Sequence, residues 1–211
     1  MDRPIFNCYM KSENFKKYYW YKSELQDICK KYDLPSYGTK YELTSYIVSF
    51  LDGKPSKEIK PVRIKRRKSK SLNHITLSTP ILDSGFSLNS DARKFFCKFY
   101  GVKKFSFTKA MGIKMREIER SNDKKAVVKD LLAVYENKDI INLDVNNEEK
   151  TYQWNTFVKN FRQDCQSTKF NSTMKVASIL WKHVKNSDKE KIYAKDLINR
   201  YYDEIKGYLK N

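Results

Sequence analysis

Glycine and histidine are scarce in this chain, with six glycines and two histidines among 211 residues. The sequence has no Gly-rich phosphate-binding loop of either common type, because such loops need closely spaced glycines. His74 and His183 lie far apart, and neither has a neighbour in sequence that would form a catalytic pair with it. We expect a protein without catalytic activity and without a cofactor.

Metal-binding and disulfide patterns are also missing. The four cysteines are widely separated, and no two of them form a Cys-x-x-Cys pair: Cys8, Cys29, Cys97 and Cys165. This spacing argues against a zinc site and against a disulfide framework. Two acidic pairs lie among many other charged residues, which favours a solvated surface over metal ligation: Glu117 with Glu119, and Glu148 with Glu149. A metal-dependent nuclease is an alternative without support.

Long apolar runs are absent from the sequence. No segment is long and apolar enough to predict a membrane-spanning helix, and residues 1–15 lack the apolar core of a signal peptide. We therefore expect no membrane partner. The expected location is intracellular: cytoplasmic and associated with the nucleoid in a bacterium, or nuclear in a eukaryote.

Positive charge is what the chain has in excess. It contains 43 Lys or Arg residues against 25 Asp or Glu residues, for a net charge of +18. This charge favours a polyanionic partner, and nucleic acid fits better than an acidic membrane because no basic amphipathic anchor is visible. The charge is uneven, since residues 1–53 carry 8 basic against 7 acidic residues and residues 54–75 carry 9 against 1. The hydrophobic fraction of 40% is enough for buried cores.

Residues 23–53 predict two short helices joined by an extended connector. The first helix starts at Ser23 with SELQ and the second at Thr39 with TKYE, and both have the spacing of a capping box. Apolar residues recur at helical spacing in both helices, so the two apolar stripes are expected to face each other. The connector contains a proline and a glycine, which disfavour helix there, and Leu34 is expected to fill the gap between the helices.

This order of helix, extended connector, Gly-x-Lys turn and second helix resembles the SAP motif. The positions that carry the resemblance are Leu25, Leu34, Gly38, Lys40, Leu43 and Ile47. The resemblance implies binding to duplex DNA, often A/T-rich, without catalysis. A helical hairpin that serves only for packing is the alternative.

The amino-terminal ends of the two helices are the candidate phosphate sites of this module. A helix start presents N–H groups and a partial positive charge to an anion. The candidate residues at these two ends are Lys22, Ser23, Tyr37, Gly38, Thr39 and Lys40. Two of them, Ser23 and Thr39, would cap their helices whether or not DNA is present.

Residues 54–75 predict a flexible basic arm, because prolines and a dense run of cations replace any hydrophobic period. The candidate phosphate contacts in this arm are Arg63, Lys65, Arg66, Arg67, Lys68 and Lys70. Such contacts are independent of base sequence, and about six to eight of them would make the affinity fall steeply with salt. A solvated spacer and a nuclear-localisation-like address are the alternatives.

Residues 12–20 predict an additional helix with three aromatic side chains on one side: Phe15, Tyr18 and Tyr19. Exposed aromatic rings can stack on the bases of single strands. Packing against the hairpin is the favoured interpretation, because a motif of about thirty residues needs additional apolar surface to be stable.

Residues 76–140 predict a helical domain of unknown function, with Ser90 as the N-cap of its first helix. Three motifs resemble a bacterial domain of unknown function that commonly accompanies SAP modules: Arg93-Lys94-Phe95-Phe96, Gly101 and Phe105-Ser106-Phe107. That resemblance implies an architecture and no chemistry. The basic residues of this segment are expected on a solvated helix face.

Residues 150–211 predict a three-helix segment in which Ser187-Asp188-Lys189-Glu190 caps the last helix. The resemblance to the same bacterial SAP proteins continues at Asn155-Thr156-Phe157, Phe161 and Leu180-Trp181-Lys182. A second resemblance, to the HMG box, rests on the order Phe157, Arg162, Trp181, Ser187, Lys191 and Tyr193. The HMG box would imply DNA bending from the minor groove. A helical core built on Trp154 and Trp181 is the alternative.

The sequence as a whole predicts a mainly α-helical protein. Its predicted parts are a SAP-like module at 1–53, a basic linker at 54–75, a helical domain at 76–140 and a C-terminal segment at 150–211. The predicted function is non-catalytic binding of duplex DNA. The alternative is a scaffold or RNA-associated protein whose helical C-terminal region binds a protein partner.

Overall fold

The computed structural model describes residues 3–63, 72, 74–137 and 152–210. The described chain is mainly α-helical, which confirms the predicted fold class at that level. It divides into two compact units. Unit 1 comprises residues 1–60 and 146–211, and unit 2 comprises residues 61–145. The two ends of the chain therefore fold together.

Ten α-helices lie within the described ranges. In chain order they are α1 (Ser12–Lys17), α2 (Lys22–Lys31), α3 (Lys40–Leu51), α4 (Ser90–Tyr100), α5 (Lys109–Ser121), α6 (Val128–Glu136), α7 (Gln153–Gln163), α8 (Thr173–Lys185), α9 (Asp196–Arg200) and α10 (Tyr202–Ile205). Helices α4 to α6 form unit 2, and the others form unit 1. No described helix combines the length and the apolar composition needed to cross a bilayer.

Helices α2 and α3 form the helical hairpin that the sequence predicts. Leu25 and Cys29 of α2 have no exposed surface, and they share a core with Leu43 and Ile47 of α3, which are also fully buried. Leu34 in the connector is 6% exposed and belongs to the same core, as predicted. Burial of several large aliphatic side chains contributes about 1.5–3 kcal/mol for each of them.

Helix α1 ends at Lys17 and is shorter than the predicted helix at 12–20. The aromatic side chains in and just after α1 pack inward: the rings of Phe15 and Trp20 stack with 5.1 Å between their centroids, and both side chains are buried. The indole N–H of Trp20 donates a hydrogen bond to the carbonyl oxygen of Phe15 at 3.0 Å. Phe15 and Trp20 therefore extend the hairpin core, in agreement with the packing interpretation.

The C-terminal part of unit 1 is a second core around α7 and α8. Phe157 and Phe161 of α7 are fully buried and pack with Leu180 and Trp181 of α8. Tyr19, which precedes α2, lies edge-on against Trp181 with 5.0 Å between ring centroids. This contact joins the C-terminal core to the segment that leads into the hairpin.

The prediction that Ser187 caps a helix is wrong. No helix begins there, because α9 starts only at Asp196, and the Ser187 hydroxyl donates to the carbonyl oxygen of Val184 at 2.9 Å. The buried ammonium of Lys191 binds three carbonyl oxygens, those of Ser187 (2.5 Å), Lys17 (3.0 Å) and Lys189. These bonds hold residues 187–191 in a non-helical loop.

Unit 2 has its own core, formed by α4 to α6 and the residues that precede α4. Phe96 and Phe105 stack at its centre with 4.8 Å between ring centroids. The N-cap of α4 is Asn89 and not Ser90, since the Asn89 side-chain oxygen accepts hydrogen bonds from two amides of the first turn. The helix ends at Gly101, which has a φ of +64° as in a common glycine C-cap.

Candidate nucleic-acid interface

The start of α3 has the predicted capping box. The Thr39 hydroxyl accepts from the Glu42 amide at 3.2 Å, and a Glu42 carboxylate oxygen accepts from the Thr39 amide at 2.7 Å. These bonds leave the amides of Lys40 and Tyr41 without an intrahelical acceptor. The first turn of α3 can therefore still offer N–H groups to an anion, although the Glu42 carboxylate already occupies part of it.

Gly38 is required by this capping box. Its φ is +137°, and a Cβ atom built there would lie 2.6 Å from the Glu42 carboxylate oxygen. Only glycine gives both the backbone conformation and the space that the carboxylate needs. The capping box alone therefore explains the glycine of the Gly-x-Lys turn, without reference to any ligand.

Lys40 does not point into solvent. Its Nζ atom lies 3.4 Å from the centroid of the Tyr19 ring, is enclosed, and has no hydrogen-bond partner among the described residues. Burial lowers the pKa of Lys40 from 10.5 to about 8, and the negative charge of Glu24 partly opposes this change. The ammonium is stabilised by the ring face and by a distant carboxylate, and a phosphate would reach it only after Tyr19 moved.

Tyr37 is half-buried, and its hydroxyl oxygen is enclosed within the protein. The connector that contains Tyr37 is also held by the Gln26 amide, which donates to the carbonyl oxygen of Ser36 at 3.2 Å. Tyr37 and Lys40 therefore both face inward. All four candidate residues at the start of α3 are partly exposed, but the hydroxyl of Tyr37 and the ammonium of Lys40 are enclosed.

The start of α2 differs from the prediction by two residues. Tyr21 is the N-cap, and its amide donates to the Glu24 carboxylate at 2.6 Å, so Ser23 lies inside the first turn and is wrong as the cap. Glu24 also accepts hydrogen bonds from the Arg3 guanidinium, which holds the pKa of that carboxyl below its ordinary value. Lys22 and Ser23 are exposed on this first turn.

Lys185, at the end of α8, reaches the same place. Its ammonium donates to the Tyr21 hydroxyl at 2.9 Å, and its positive charge contributes to the lowered pKa of Glu24. We call the group formed by Arg3, Lys22, Glu24, Lys40 and Lys185 the amino-terminal cluster. It has four cations and one carboxylate, and it surrounds the start of α2.

Sequence reasoning missed Arg3 and Lys185. Arg3 lies 21 residues before Glu24, and Lys185 lies 164 residues after Tyr21, so no local spacing could link them to the hairpin. Their positions follow from the folding of both chain ends into one unit. The amino-terminal cluster is therefore a product of tertiary structure.

The candidate residues of the arm divide into two groups. Arg63 forms an ion pair with Glu119 at 2.6 Å, and the two side chains are 17% and 16% exposed. The other candidates lie outside the described residues: Lys65, Arg66, Arg67, Lys68 and Lys70. The charge of Arg63 is thus balanced within unit 2, and Arg63 is a structural cation there.

Glu117 and His183 both have partners within the protein, and Glu148 and Glu149 lie outside the described residues. Glu117 pairs with Lys114 at 3.6 Å. His183 stacks on Tyr201 with 3.7 Å between ring centroids and lies 2.9 Å from a Glu204 carboxylate oxygen. Among the described residues, no three His, Cys, Asp or Glu side chains are grouped as metal ligands.

Comparison with known proteins adds no relative. The chain matches no protein-family model, no curated protein and no solved structure.

Proposed function

We propose that this protein binds duplex DNA without catalysis, through a SAP-like hairpin formed by α2 and α3. The observation that carries the proposal is the amino-terminal cluster, in which the exposed Lys22 and the half-exposed Lys185 lie at the start of a helix. Lys22 lies in the first turn of α2, and Lys185 reaches that turn from α8. A phosphate at this place would meet two ammonium groups and the N–H groups of a helix start.

The distribution of charge supports a polyanionic partner. Unit 1 carries 24 Lys or Arg against 16 Asp or Glu, and unit 2 carries 19 against 9. Both units are therefore positive, with net charges of +8 and +10. A duplex presents a phosphate charge about every 1.7 Å along its axis, so a positive unit can bind a duplex by releasing counterions.

Within this proposal the candidate residues have different roles. Lys22, Ser23 and Lys185 contact phosphates, because they are the accessible donors near the start of α2. Gly38 and Thr39 shape the start of α3. Lys40 packs under Tyr19 and contributes positive potential, and the arm residues Lys65 to Lys70 add attraction that is independent of sequence.

The proposal is tested with a double variant, Lys22→Gln with Lys185→Gln, in the full chain. A matched control is Lys30→Gln with Lys175→Gln, because these exposed lysines lie at the opposite ends of the same two helices. Duplex affinity is measured by fluorescence anisotropy at several salt concentrations. We expect the slope of log affinity against log salt concentration to fall by about 2 in the double variant, since each lost phosphate contact removes about 0.9.

The control variant is expected to keep the wild-type slope and affinity. Equal slopes for all three proteins would contradict the proposed site. A preference of the wild-type protein for double-stranded RNA over duplex DNA would instead favour the RNA-associated alternative.

A further inference from the structure

Unit 2 has an open groove along α4 whose lining is both aromatic and basic. Its volume is about 670 Å³, which lies within the range of about 300–1,000 Å³ typical of ligand sites. Its lining includes Asp91, Lys94, Phe95, Lys98 and Phe99 of α4. We call it the α4 groove. The amino-terminal cluster of unit 1 contributes no residue to this lining.

An exposed aromatic ring forms one wall of the α4 groove. Phe99 is 46% exposed, although most large apolar side chains of unit 2 are packed in its core. The ring is held on two sides, because it stacks on Phe95 with 6.1 Å between centroids and meets Tyr100 edge-on at 5.1 Å. A fixed ring with an exposed surface is a platform on which another flat ring can stack.

Two lysines accompany this ring. Lys94 and Lys98 are four residues apart on α4 and are therefore neighbours on its surface. Both line the α4 groove together with Phe95 and Phe99. The Lys94 side chain is 82% exposed, and it forms a long ion pair with Asp91 at 3.9 Å. Such a distant, exposed pair leaves most of the Lys94 charge available to a ligand.

We propose that the α4 groove binds a short segment of single-stranded nucleic acid, with a base stacked on Phe99 and phosphates near Lys94 and Lys98. Single-strand binding sites combine aromatic platforms with cations along the backbone. The net charge of +10 in unit 2 complements such a strand. In a duplex the bases stack on one another, so they cannot reach a ring within a groove.

The first test uses a fluorescently labelled 12-nucleotide oligothymidine and the full-length chain. We expect Phe99→Ala to weaken binding about tenfold, since loss of one base–aromatic stack costs about that much. Val102→Ala is the matched control, because Val102 is 42% exposed in unit 2 but lies outside the groove lining. The control is expected to bind as the wild type does. An unchanged affinity of Phe99→Ala would overturn the proposal.

A second variant tests stacking directly. Phe99→Trp is expected to retain or strengthen binding, and its added tryptophan fluorescence should be quenched when oligothymidine is bound. Absence of this additional quenching relative to the wild-type protein would show that no base stacks at this position and would overturn the proposal.

The two lysines have their own test. Lys94→Gln with Lys98→Gln is expected to lower the salt slope for oligothymidine by about 1.4, at about 0.7 for each single-strand contact. The control is Lys103→Gln with Lys104→Gln, two exposed lysines outside the lining. Equal slopes for the two double variants would contradict the assignment. Displacement of oligothymidine at equal affinity by an acidic, tyrosine-containing peptide would also overturn it, in favour of a protein ligand.

The proposed single-strand site and the proposed duplex site are tested by different variants, so either proposal can be refuted without the other. Phe99→Ala is expected to leave duplex binding unchanged, and the Lys22 and Lys185 double variant is expected to leave oligothymidine binding unchanged. Equal weakening of duplex and oligothymidine binding by Phe99→Ala would refute single-strand recognition in the α4 groove.

Discussion

Replacement of Lys40 by methionine should stabilise unit 1 at neutral pH. The change keeps the apolar stem of the side chain and removes an ammonium that is enclosed under the Tyr19 ring. The lowering of the Lys40 pKa from 10.5 to about 8 corresponds to about 3 kcal/mol, at about 1.4 kcal/mol for each pH unit. Methionine loses the attraction to the Tyr19 ring, worth about 1–2 kcal/mol. The expected net gain in the free energy of unfolding is about 1–2 kcal/mol.

The gain should depend on pH in a defined direction. The folded protein holds the Lys40 proton less tightly than the unfolded chain does, because burial lowers the pKa of Lys40. The cost of the buried charge is thus complete below pH 8 and disappears between about pH 8 and 10.5. The stability of the wild type should rise relative to that of Lys40→Met across this interval, and the advantage of methionine should be lost near its upper end.

Urea unfolding followed by tryptophan fluorescence measures this effect in unit 1 alone. All three tryptophans of the chain, Trp20, Trp154 and Trp181, lie in unit 1. The free energy of unfolding is compared between the two proteins at pH 7, 8 and 9.5. Lys30→Met, which removes an exposed lysine from the same hairpin, is expected to show no such change with pH. A stability difference between wild type and Lys40→Met that stays constant from pH 7 to 9.5 would refute the reasoning.

Two further predictions concern the turn and the arm. Gly38→Ala should destabilise unit 1 by about 2–4 kcal/mol through backbone strain and loss of the Glu42 cap. The control Gly53→Ala should cost about 1–2 kcal/mol, because no atom lies within 4 Å of its added Cβ. Equal losses of stability for the two variants in urea unfolding would contradict this account. Glutamine at the five arm positions that follow Arg63 should lower the salt slope for duplex DNA by up to about 4.5. Arg63→Gln should hardly change that slope but should destabilise unit 2 by about 1–3 kcal/mol, measured by circular dichroism, because the partly buried ion pair between Arg63 and Glu119 is lost. An Arg63→Gln slope as flat as that of the arm variant would show that Arg63 is a phosphate contact. The arm positions are Lys65, Arg66, Arg67, Lys68 and Lys70.

The hairpin could be predicted from the sequence because its signals are local. The capping box at Thr39 needs only residues three apart, and Gly38 and Leu34 lie within a few residues of it. Helical spacing of the apolar residues then placed α2 against α3. Each of these signals can be read without knowledge of the rest of the chain.

The predicted helix starts at Ser23 and Ser187 are wrong for one common reason. Other residues, distant or neighbouring in sequence, form the hydrogen bonds that fix the backbone there. Ser23 has the spacing of a cap, but the Tyr21 amide donates to the Glu24 carboxylate, which also accepts from Arg3. Ser187 also has the spacing of a cap, but Lys191 binds its carbonyl oxygen and that of Lys17. A capping-box pattern records a possible local bond and contains no information about such partners.

Partners that the local sequence pattern does not reveal also decide which cations can bind an anion. Lys40 lies at a helix start, and Arg63 opens the basic run, so both look like phosphate contacts in the sequence. The structure gives each of them an internal partner, the Tyr19 ring for Lys40 and the Glu119 carboxylate for Arg63. Lys185 has no such pattern in sequence, yet it lies at the start of α2.

Salt dependence can therefore count the cations that act on a nucleic acid, because only a cation that replaces a condensed counterion contributes to the slope. A cation already balanced within the protein, as Arg63 is by Glu119, releases none. An ammonium enclosed under a ring, as Lys40 is, contributes only if the ring moves away. Comparison of the slopes of the Lys40, Arg63 and Lys185 variants would thus separate structural cations from binding cations, although all three carry the same formal charge.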